Sequence, residues 1–314
     1  MWQAEFIAAR LRELDASLDV RLLGMTTKGD RWLNSPLSEV GGKGLFVKEL
    51  EHAIAAGQAD LAVHSCKDLP AQLPAGFELI ATGYRADVRD VLVSPRFGGV
   101  DGLPEGARVG TSSLRRAAQL LARRPDLRCL PVRGNVGTRL AKLDAGDYDG
   151  LILAAAGLER LGLAERVGEY LPVDLSLPAA GQGALSLECA SAASGAVKDR
   201  LRALNEPAVA ACVLAERGVS AGLGADCSMP LAAHATLGSA GPGARADGSA
   251  NSAAEIPPDR PLALAALVAS PDGARIIRAQ ATGTFAAPGA LGEAVAEQLR
   301  SQGAAELLAA SADP

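Results

Sequence analysis

Arginine side chains recur where a short apolar strand gives way to a turn of small residues and then to a helix. The pattern occurs twice, in residues 108–116 and in residues 130–139. Helix N-termini carry unpaired backbone N–H groups and partial positive charge, and arginine adds paired donors for a carboxylate or a phosphate. The repeat therefore predicts a site for a polyanionic ligand, formed by Arg115, Arg116, Arg133 and Arg139.

The same residues allow a structural alternative. In that interpretation Ser112 and Thr138 are ordinary N-caps, and the arginines lie on a solvated helix face. One copy of the pattern alone would favour this alternative. Two copies within one strand-helix-strand stretch favour the anion site instead.

Asp68 is the best candidate for an acid, a base or a carboxylate that stabilises a cation. It follows the apolar strand predicted over residues 59–63, which we expect to be a buried parallel strand, and it is adjacent to Lys67. The Lys67 ammonium would keep the carboxylate ionised, which suits stabilisation of positive charge on a substrate. Because an aspartate before Leu-Pro can equally cap a turn, the residues alone leave both interpretations open.

Other reactive side chains give weaker signals. His64 and Ser65 are adjacent in a strand and point to opposite faces, and no Gly-x-Ser-x-Gly motif accompanies them. The three histidines have no metal-ligand spacing, so we expect no metal site. Cys227 lies in an open loop, but a lone cysteine is more often a core residue, and spacing alone does not select it over Cys66.

Two glycine-containing stretches are candidate moving parts. The long loop over residues 26–44 ends in a glycine run around Lys43 that could cover an anion, although a mobile surface loop is an equal alternative. The stretch over residues 178–184 reads as a second crossing between lobes or as a hinge.

Composition limits the class of protein. The 314 residues suggest two or three domains, and the net charge of -5 argues against a nucleic-acid partner. No apolar run approaches the length of a membrane span, and five cysteines without paired spacing suit a reducing compartment. We therefore expect a cytoplasmic protein with no membrane or nucleic-acid partner.

Several segments together resemble the porphobilinogen deaminase (hydroxymethylbilane synthase) family, in the family's order and over nearly the whole chain. They are Gly41 to Leu50, Ala62 to Ser65 with Lys67 and Asp68, Gly110 to Arg116, Arg133 to Leu140, Pro178 to Ala184, and the loop at Cys227.

The resemblance implies an α/β protein with two periplasmic-binding-protein-like α/β lobes and a small α+β C-terminal domain, acting as a monomer. Lobe one is expected over residues 1–88 and 184–204, lobe two over 89–183, and the C-terminal domain over 205–314. The hinges are expected near residues 84–104 and 178–184.

The resemblance also implies a transferase that condenses four porphobilinogen molecules into hydroxymethylbilane and releases ammonia, in heme biosynthesis. Cys227 would carry a dipyrromethane cofactor, and Asp68, assisted by Lys67, would stabilise the positive charge that forms as ammonia leaves. The implied cofactor-binding residues are Ser65, Lys67, Asp68, Thr111, Ser112, Ser113, Arg115, Arg116, Arg133, Gly134, Arg139 and Cys227. The implied substrate-binding residues are Lys43, Arg160 and Gln182.

The sequence departs from the family pattern in three places. The family begins with a strand and a Thr-Arg-x-Ser-type turn before the helix that opens here at Trp2, so lobe one is expected to lack its first strand. Asp226 precedes the cysteine where a glycine-rich approach is usual. The polar run over residues 239–260 is expected to be a flexible insertion.

The competing function is a non-catalytic two-lobed anion-binding protein, which would share the fold and the arginine sites. A reactive cysteine that carries a cofactor would distinguish the enzyme from the binding protein. A nucleotide-dependent transferase is excluded by the lack of a P-loop or of a Gly-x-Gly-x-x-Gly motif after a strand.

Overall fold

The structure is a computed structural model that describes residues 1–25, 47–226, 228–238 and 256–312. Lys43, Cys227 and most of the predicted insertion lie outside the described residues. The strands are β1 (Ala62–Ser65), β2 (Phe77–Gly83), β3 (Asp90–Val93), β4 (Arg108–Gly110), β5 (Arg128–Leu130), β6 (Gly150–Ala154), β7 (Glu169–Tyr170), β8 (Leu185–Ala190), β9 (Leu231–Leu237), β10 (Pro261–Ala269) and β11 (Ile276–Thr284).

The helices are α1 (Trp2–Leu14), α2 (Lys48–Ala55), α3 (Leu114–Arg123), α4 (Val136–Asp144), α5 (Ala155–Glu159), α6 (Gly195–Arg202), α7 (Pro207–Gly222), α8 (Pro288–Ser301) and α9 (Ala304–Ala312). Short 3-10 turns occupy Cys66–Asp68 and Ala164–Arg166. None of the helices in the described part of the chain is long and apolar enough to cross a membrane.

The first sheet has the strand order β1-β8-β2, and both pairings are antiparallel. The expectation of a buried parallel strand before Asp68 is therefore wrong. The apolar run gave no information about direction, because β8 reaches β1 from a part of the chain more than a hundred residues later. Helix α1 packs Ile7 and Leu11 onto this sheet beside Leu185 and Leu187 of β8.

The second sheet has five strands in the order β5-β4-β6-β3-β7. Strand β4 pairs in parallel with β5 and β6, whereas β3 pairs antiparallel with β6 and β7. In β3, Val91 and Val93 enter one apolar cluster and Leu92 enters another, and none of the three is more than 1% exposed. Because successive strand residues face opposite sides, both faces of this sheet are covered.

Two chain crossings join these sheets and bond to each other. The first crossing lies between β2 and β3, and its Ala86 amide donates to the Gly183 carbonyl of the second crossing at 3.2 Å. Gly183 has a φ of +86°, and a Cβ there would lie 2.6 Å from the Ala86 carbonyl oxygen. This close approach requires glycine, because a side chain would clash with the opposite crossing.

The C-terminal part holds an antiparallel sheet in the order β11-β10-β9, with α7 and α8 packed against it. The β10-β11 turn reaches lobe two, where the Cα region of Gly273 lies against the backbone of Ala118 and Ala122 in α3. The predicted fold class is confirmed: two α/β lobes are followed by a small domain of sheet and helices. The domain boundaries stay predictions.

Candidate active site

The two strand-turn-helix motifs exist, but their N-caps differ from the structural alternative. Ser113 caps α3 and Asn135 caps α4. The Ser112 hydroxyl instead donates to the Val132 carbonyl at 2.8 Å and accepts from the Val132 amide at 3.0 Å. Ser112 therefore ties the first turn to the second. Thr111 continues this contact, because its amide donates to the Leu130 carbonyl at 2.9 Å.

Arg115 and Arg116 turn inward from the first turn of α3. Their exposed fractions are 3% and 8%, and both guanidinium groups pair with Asp90 of β3. Arg115 Nη1 lies 2.8 Å from Asp90 Oδ2, and Arg116 Nε lies 2.9 Å from Asp90 Oδ1. The two arginines are thus assembled around one buried carboxylate, and they do not lie on a solvated face.

Asp90 is a residue that sequence reasoning missed. It is fully buried, and it also accepts hydrogen bonds from Ser176 and Gln182. Burial acts to raise the pKa of Asp90, but Arg115 and Arg116 outweigh it and hold the pKa well below its usual range. The available signal was a charged residue opening an otherwise apolar strand.

Lys67 reaches the same network from lobe one. Its Nζ donates to Gln182 Oε1 at 3.3 Å. Burial, followed by the positive charge of Arg116, lowers the pKa of Lys67 to about 8, against the opposing effects of Asp68 and Asp90. Lys67 is therefore a cation whose charge is easily lost, in a site where other positive charges already crowd it.

Asp68 is exposed at the end of the 3-10 turn that follows β1. Its negative charge acts on Lys67, on Arg139 of α4 and on Arg160, which follows α5. The pKa of Arg139 is lowered by burial and then by Arg116 and Arg133, while Asp68 opposes the shift. One accessible carboxylate therefore acts electrostatically on three cationic side chains from separate parts of the chain.

Arg160 has no carboxylate partner among the described residues. Its Nη2 donates to the Gly183 carbonyl at 2.8 Å, and its guanidinium carbon lies 5.6 Å from the Trp2 ring and 6.0 Å from the Tyr84 ring. Within the described chain, Arg160 Nε is buried and has no hydrogen-bond acceptor. This unpaired donor fits a site that receives an anionic ligand.

The second turn presents further donors. Arg139 Nε donates to the carbonyl of Gly134 at 2.7 Å, and Gly134 has a φ of +106°. A Cβ at Gly134 would lie 2.7 Å from the Thr138 Cβ, so the turn needs glycine. Lys142 Nζ donates to the Arg133 carbonyl at 3.4 Å. Within the described residues, the Arg133 guanidinium makes no hydrogen bond, and burial lowers its pKa.

Gln3 is a second residue that the sequence did not reveal. Its Nε2 donates to the Ser65 hydroxyl at 2.6 Å, which connects α1 to the end of β1. Gln182, predicted to bind substrate, is fully buried and bonded to protein groups on both its amide atoms. In the described part of the chain, no group of three or more His, Cys, Asp or Glu side chains could hold a metal ion.

The fold is that of a two-lobed α/β protein, and cationic side chains outnumber carboxylates at its candidate site. The sequence profile "Porphobilinogen deaminase, dipyromethane cofactor binding domain" matches residues 1–194, and "Porphobilinogen deaminase, C-terminal domain" matches residues 210–301. The chain belongs to the porphobilinogen deaminase family, and the resemblance seen in the sequence is confirmed.

Individual relatives agree. The chain is 52% identical to the porphobilinogen deaminase of Thiobacillus denitrificans, over 98% of this chain and 94% of that protein. It is also 52% identical to the Chromobacterium violaceum protein of the same name, over 99% of this chain and 94% of that protein. Among solved structures, a periplasmic substrate-binding protein from Coxiella burnetii matches with a TM-score of 0.39 and 16% identity, covering 66% of this chain and 89% of that one. A likeness at that level carries no argument about function.

Proposed function

We propose that the chain condenses four porphobilinogen molecules into hydroxymethylbilane with release of ammonia, and that Asp68 is the catalytic carboxylate. The observation that carries this proposal is the exposed Asp68, whose negative charge acts on Lys67, Arg139 and Arg160. Porphobilinogen brings an acetate, a propionate and a leaving ammonium group. The site offers cations for the first two and a carboxylate for the positive charge that develops as the third leaves.

Each side chain then has a distinct task. When the C–N bond of porphobilinogen breaks, Asp68 stabilises the positive charge left on the substrate. Lys67 holds its proton below a pH of about 8 and orients toward the incoming carboxylates. Arg133, Arg139 and Arg160 bind the acetate and propionate groups, since guanidinium matches carboxylate geometry with two parallel donors.

The dipyrromethane cofactor fits this cleft because the site holds more cations than carboxylates and leaves Arg160 Nε without an acceptor among the described residues. When bound, the cofactor supplies the pyrrole carbon from which the product chain grows. We propose Cys227 as its attachment point, with the turns at Thr111 to Ser113 and Arg133 to Gly134 binding its carboxylates. Lys43, in the sequence before α2, is proposed to bind substrate.

The remaining parts of the proposal concern organisation. We propose lobe one as residues 1–88 and 184–204, lobe two as 89–183 and the C-terminal domain as 205–314, a division that the three separate sheets support. We also propose a cytoplasmic monomer with no nucleic-acid or membrane partner, which the net charge of -5 supports. Light scattering during size-exclusion chromatography would measure the mass in solution, and a stable dimer would contradict the monomer.

The first test is the intact mass of the purified, denatured chain. We expect an excess of two linked pyrrole units over the sequence mass, lost in Cys227→Ala and retained in the matched Cys129→Ala variant. An excess that survives in Cys227→Ala would reject the attachment site. A bare mass in the wild type, together with no hydroxymethylbilane formed from porphobilinogen, would favour a non-catalytic anion-binding protein.

The second test is Asp68→Asn, assayed by hydroxymethylbilane formation. Because the amide keeps the size but loses the charge, we expect the fold to persist and kcat to fall by about 10²-fold or more. Asp174→Asn changes an exposed carboxylate outside the site and serves as the control. A wild-type rate in Asp68→Asn would overturn the assignment.

A further inference from the structure

The carboxylate of Asp90 accepts hydrogen bonds from four side chains, two of them neighbours in α3 and two in the stretch between β7 and β8. Its Oδ2 accepts from Arg115 Nη1 at 2.8 Å and from Ser176 Oγ at 2.9 Å. Its Oδ1 accepts from Arg116 Nε and from Gln182 Nε2, each at 2.9 Å. The group is fully buried, so its orientation is fixed entirely by protein donors.

The charge of this cluster exceeds what a structural ion pair requires. One arginine would neutralise a buried carboxylate, whereas here two guanidinium groups share Asp90 and leave one positive charge uncompensated by it. Arg116 also donates to the Ile152 carbonyl at 3.3 Å, and Arg115 donates to the Leu177 carbonyl at 2.6 Å. The cluster therefore holds a fixed excess of positive charge at the start of α3, where an anionic ligand is expected.

Gln182 connects the Asp90 cluster to Lys67 of lobe one through hydrogen bonds on both sides of its amide. Its Nε2 donates to the Val88 carbonyl at 2.7 Å and to Asp90. Because both groups on that side are acceptors, the amide must present its nitrogen to them. Turning the amide over would set its oxygen against these two acceptor oxygens. Its Oε1 is consequently directed toward Lys67 Nζ, at 3.3 Å.

We propose, on the basis of the function proposed above, that Asp90 is a positioning residue for the reaction. It fixes Arg115 and Arg116 for the carboxylates of the growing chain, and through the Gln182 amide it places the Lys67 ammonium beside Asp68. The three parts of the chain that meet at Asp90 are β3, α3 and the stretch between β7 and β8, and they would then act as one unit during each condensation.

The test measures the protonation of Lys67 directly, by competitive labelling with acetic anhydride across pH followed by peptide mass spectrometry. The charged groups acting on Lys67 are Asp68 of its own turn, Asp90 of β3, and Arg115 and Arg116 of α3. Removing the Asp90 charge in Asp90→Asn leaves the two arginines to oppose the Lys67 proton. We expect the labelling midpoint to move roughly one pH unit lower, and kcat/KM to fall on the order of 10²-fold because the arginines lose their fixed positions.

Three further variants make the measurement specific. Asp90→Glu keeps the charge and should keep the midpoint while kcat/KM falls, because the longer side chain displaces its partners. Gln182→Met removes the bridge without touching the Asp90-arginine pairs, and it should lower the midpoint as well. Asp87→Asn removes one negative charge three residues before Asp90, where the Asp87 carboxylate pairs with Arg89. This variant should leave the Lys67 midpoint in place.

The proposal is overturned if Asp90→Asn or Gln182→Met destabilises the chain but leaves the Lys67 midpoint and kcat/KM unchanged, because the role would then be structural alone. If Asp90→Asn does not fold, the Gln182→Met midpoint decides by itself. Failure of the proposed function is a separate result. It would show as a wild-type chain without added mass or turnover, whereas the labelling midpoint is measured without activity.

Discussion

Two buried carboxylates, Asp90 and Glu216, organise the two crossings in different ways. Both are fully buried, and each binds arginine. Glu216, on α7 of the C-terminal domain, pairs with Arg85 of the first crossing at 2.8 Å. It also accepts from the backbone amides of Gly181 at 2.7 Å and Ala235 at 2.8 Å.

The donors explain the difference between the two centres. Glu216 accepts from one arginine and two backbone amides and lies 3.4 Å from His234 Nδ1. Its centre joins the C-terminal domain to both crossings. Among the described residues, the Asp90 carboxylate accepts hydrogen bonds only from side chains, two of them cationic. Gln182 connects this centre to Lys67. One carboxylate holds domains together, whereas the other keeps positive charge in place for a ligand.

The largest expected effect separates the two roles by stability. In Glu216→Gln the amide nitrogen opposes backbone donors and Arg85 loses its partner, so unfolding free energy should drop by about 3–5 kcal/mol. We expect kcat/KM of the folded fraction to be retained. Urea unfolding monitored by circular dichroism measures this, and Glu293→Gln on the exposed face of α8 is the control. A drop in kcat/KM as large as that of Asp90→Asn would erase the distinction.

The second prediction concerns the crossing on which both centres depend. Gly183→Ala places a Cβ 2.6 Å from the Ala86 carbonyl oxygen at a φ of +86°. We expect thermal denaturation to report a loss of about 1–3 kcal/mol from the strained backbone. Gly195→Ala, at the exposed start of α6 with nothing within 4 Å, should instead be neutral or slightly stabilising. If the two variants were equally stable, the close contact between Gly183 and Ala86 would not contribute to stability, because the two crossings could move apart at little cost.

A third prediction uses pH to compare the carboxylates. Both folded-state pKa values are lowered from the ordinary 3.8 of Asp90 and 4.5 of Glu216, since paired cations outweigh burial. Their contribution to stability is therefore present above those values and is lost as pH falls below them. As the pH falls, each group should add up to about 1.4 kcal/mol per pH unit to the loss of unfolding free energy.

This slope can be measured by urea unfolding at a series of pH values below 5. The unfolding free energy of Glu216→Gln should depend less steeply on pH than that of the wild type, because one titrating carboxylate is missing. A variant whose unfolding free energy follows the wild-type pH dependence would show that Glu216 is not ionised in the folded chain.

Much of the candidate site could be predicted from local sequence pattern. The rest depends on contacts between residues that are distant in the sequence. The strand-turn-helix repeats were visible because glycine, serine and arginine sit at fixed offsets within a few residues. The inward direction of Arg115 was not visible, because it depends on an aspartate 25 residues earlier. Asp87 and Asp90 belong to one short polar run, yet one pairs with a half-exposed arginine and the other is buried beneath two.

The same limit applies to sheet direction and to Gln182. An apolar run specifies a buried strand, but its partner decides whether the pairing is parallel, and the partner β8 lies across the second crossing. Gln182 was identified by motif, whereas its bonds to both lobes follow from the approach of the two crossings. The role of a residue at a contact between distant segments can be assigned only once the fold is known.

The smallest expected effect tests Arg160, a cation with no carboxylate partner among the described residues. Arg85 is fixed by Glu216, whereas Arg160 rests on the Trp2 and Tyr84 rings and the Gly183 carbonyl. Trp2 in turn stacks on Phe6 with ring centroids 5.2 Å apart. In Trp2→Leu the guanidinium loses one ring face, worth about 0.5–1 kcal/mol at a partly exposed site. The KM for porphobilinogen should rise about two- to fivefold, by that energy, with kcat little changed.

Trp2→Phe is the matched control, because it keeps an aromatic face and should recover most of the affinity. Steady-state kinetics on the three proteins at one ionic strength measures the effect. If Trp2→Leu and Trp2→Phe raise KM equally, the ring does not position Arg160 and only packing was lost. If Trp2→Leu alone raises KM, Arg160 is positioned by an aromatic face that leaves its charge available to the substrate. The charge of Arg85, by contrast, is neutralised by Glu216.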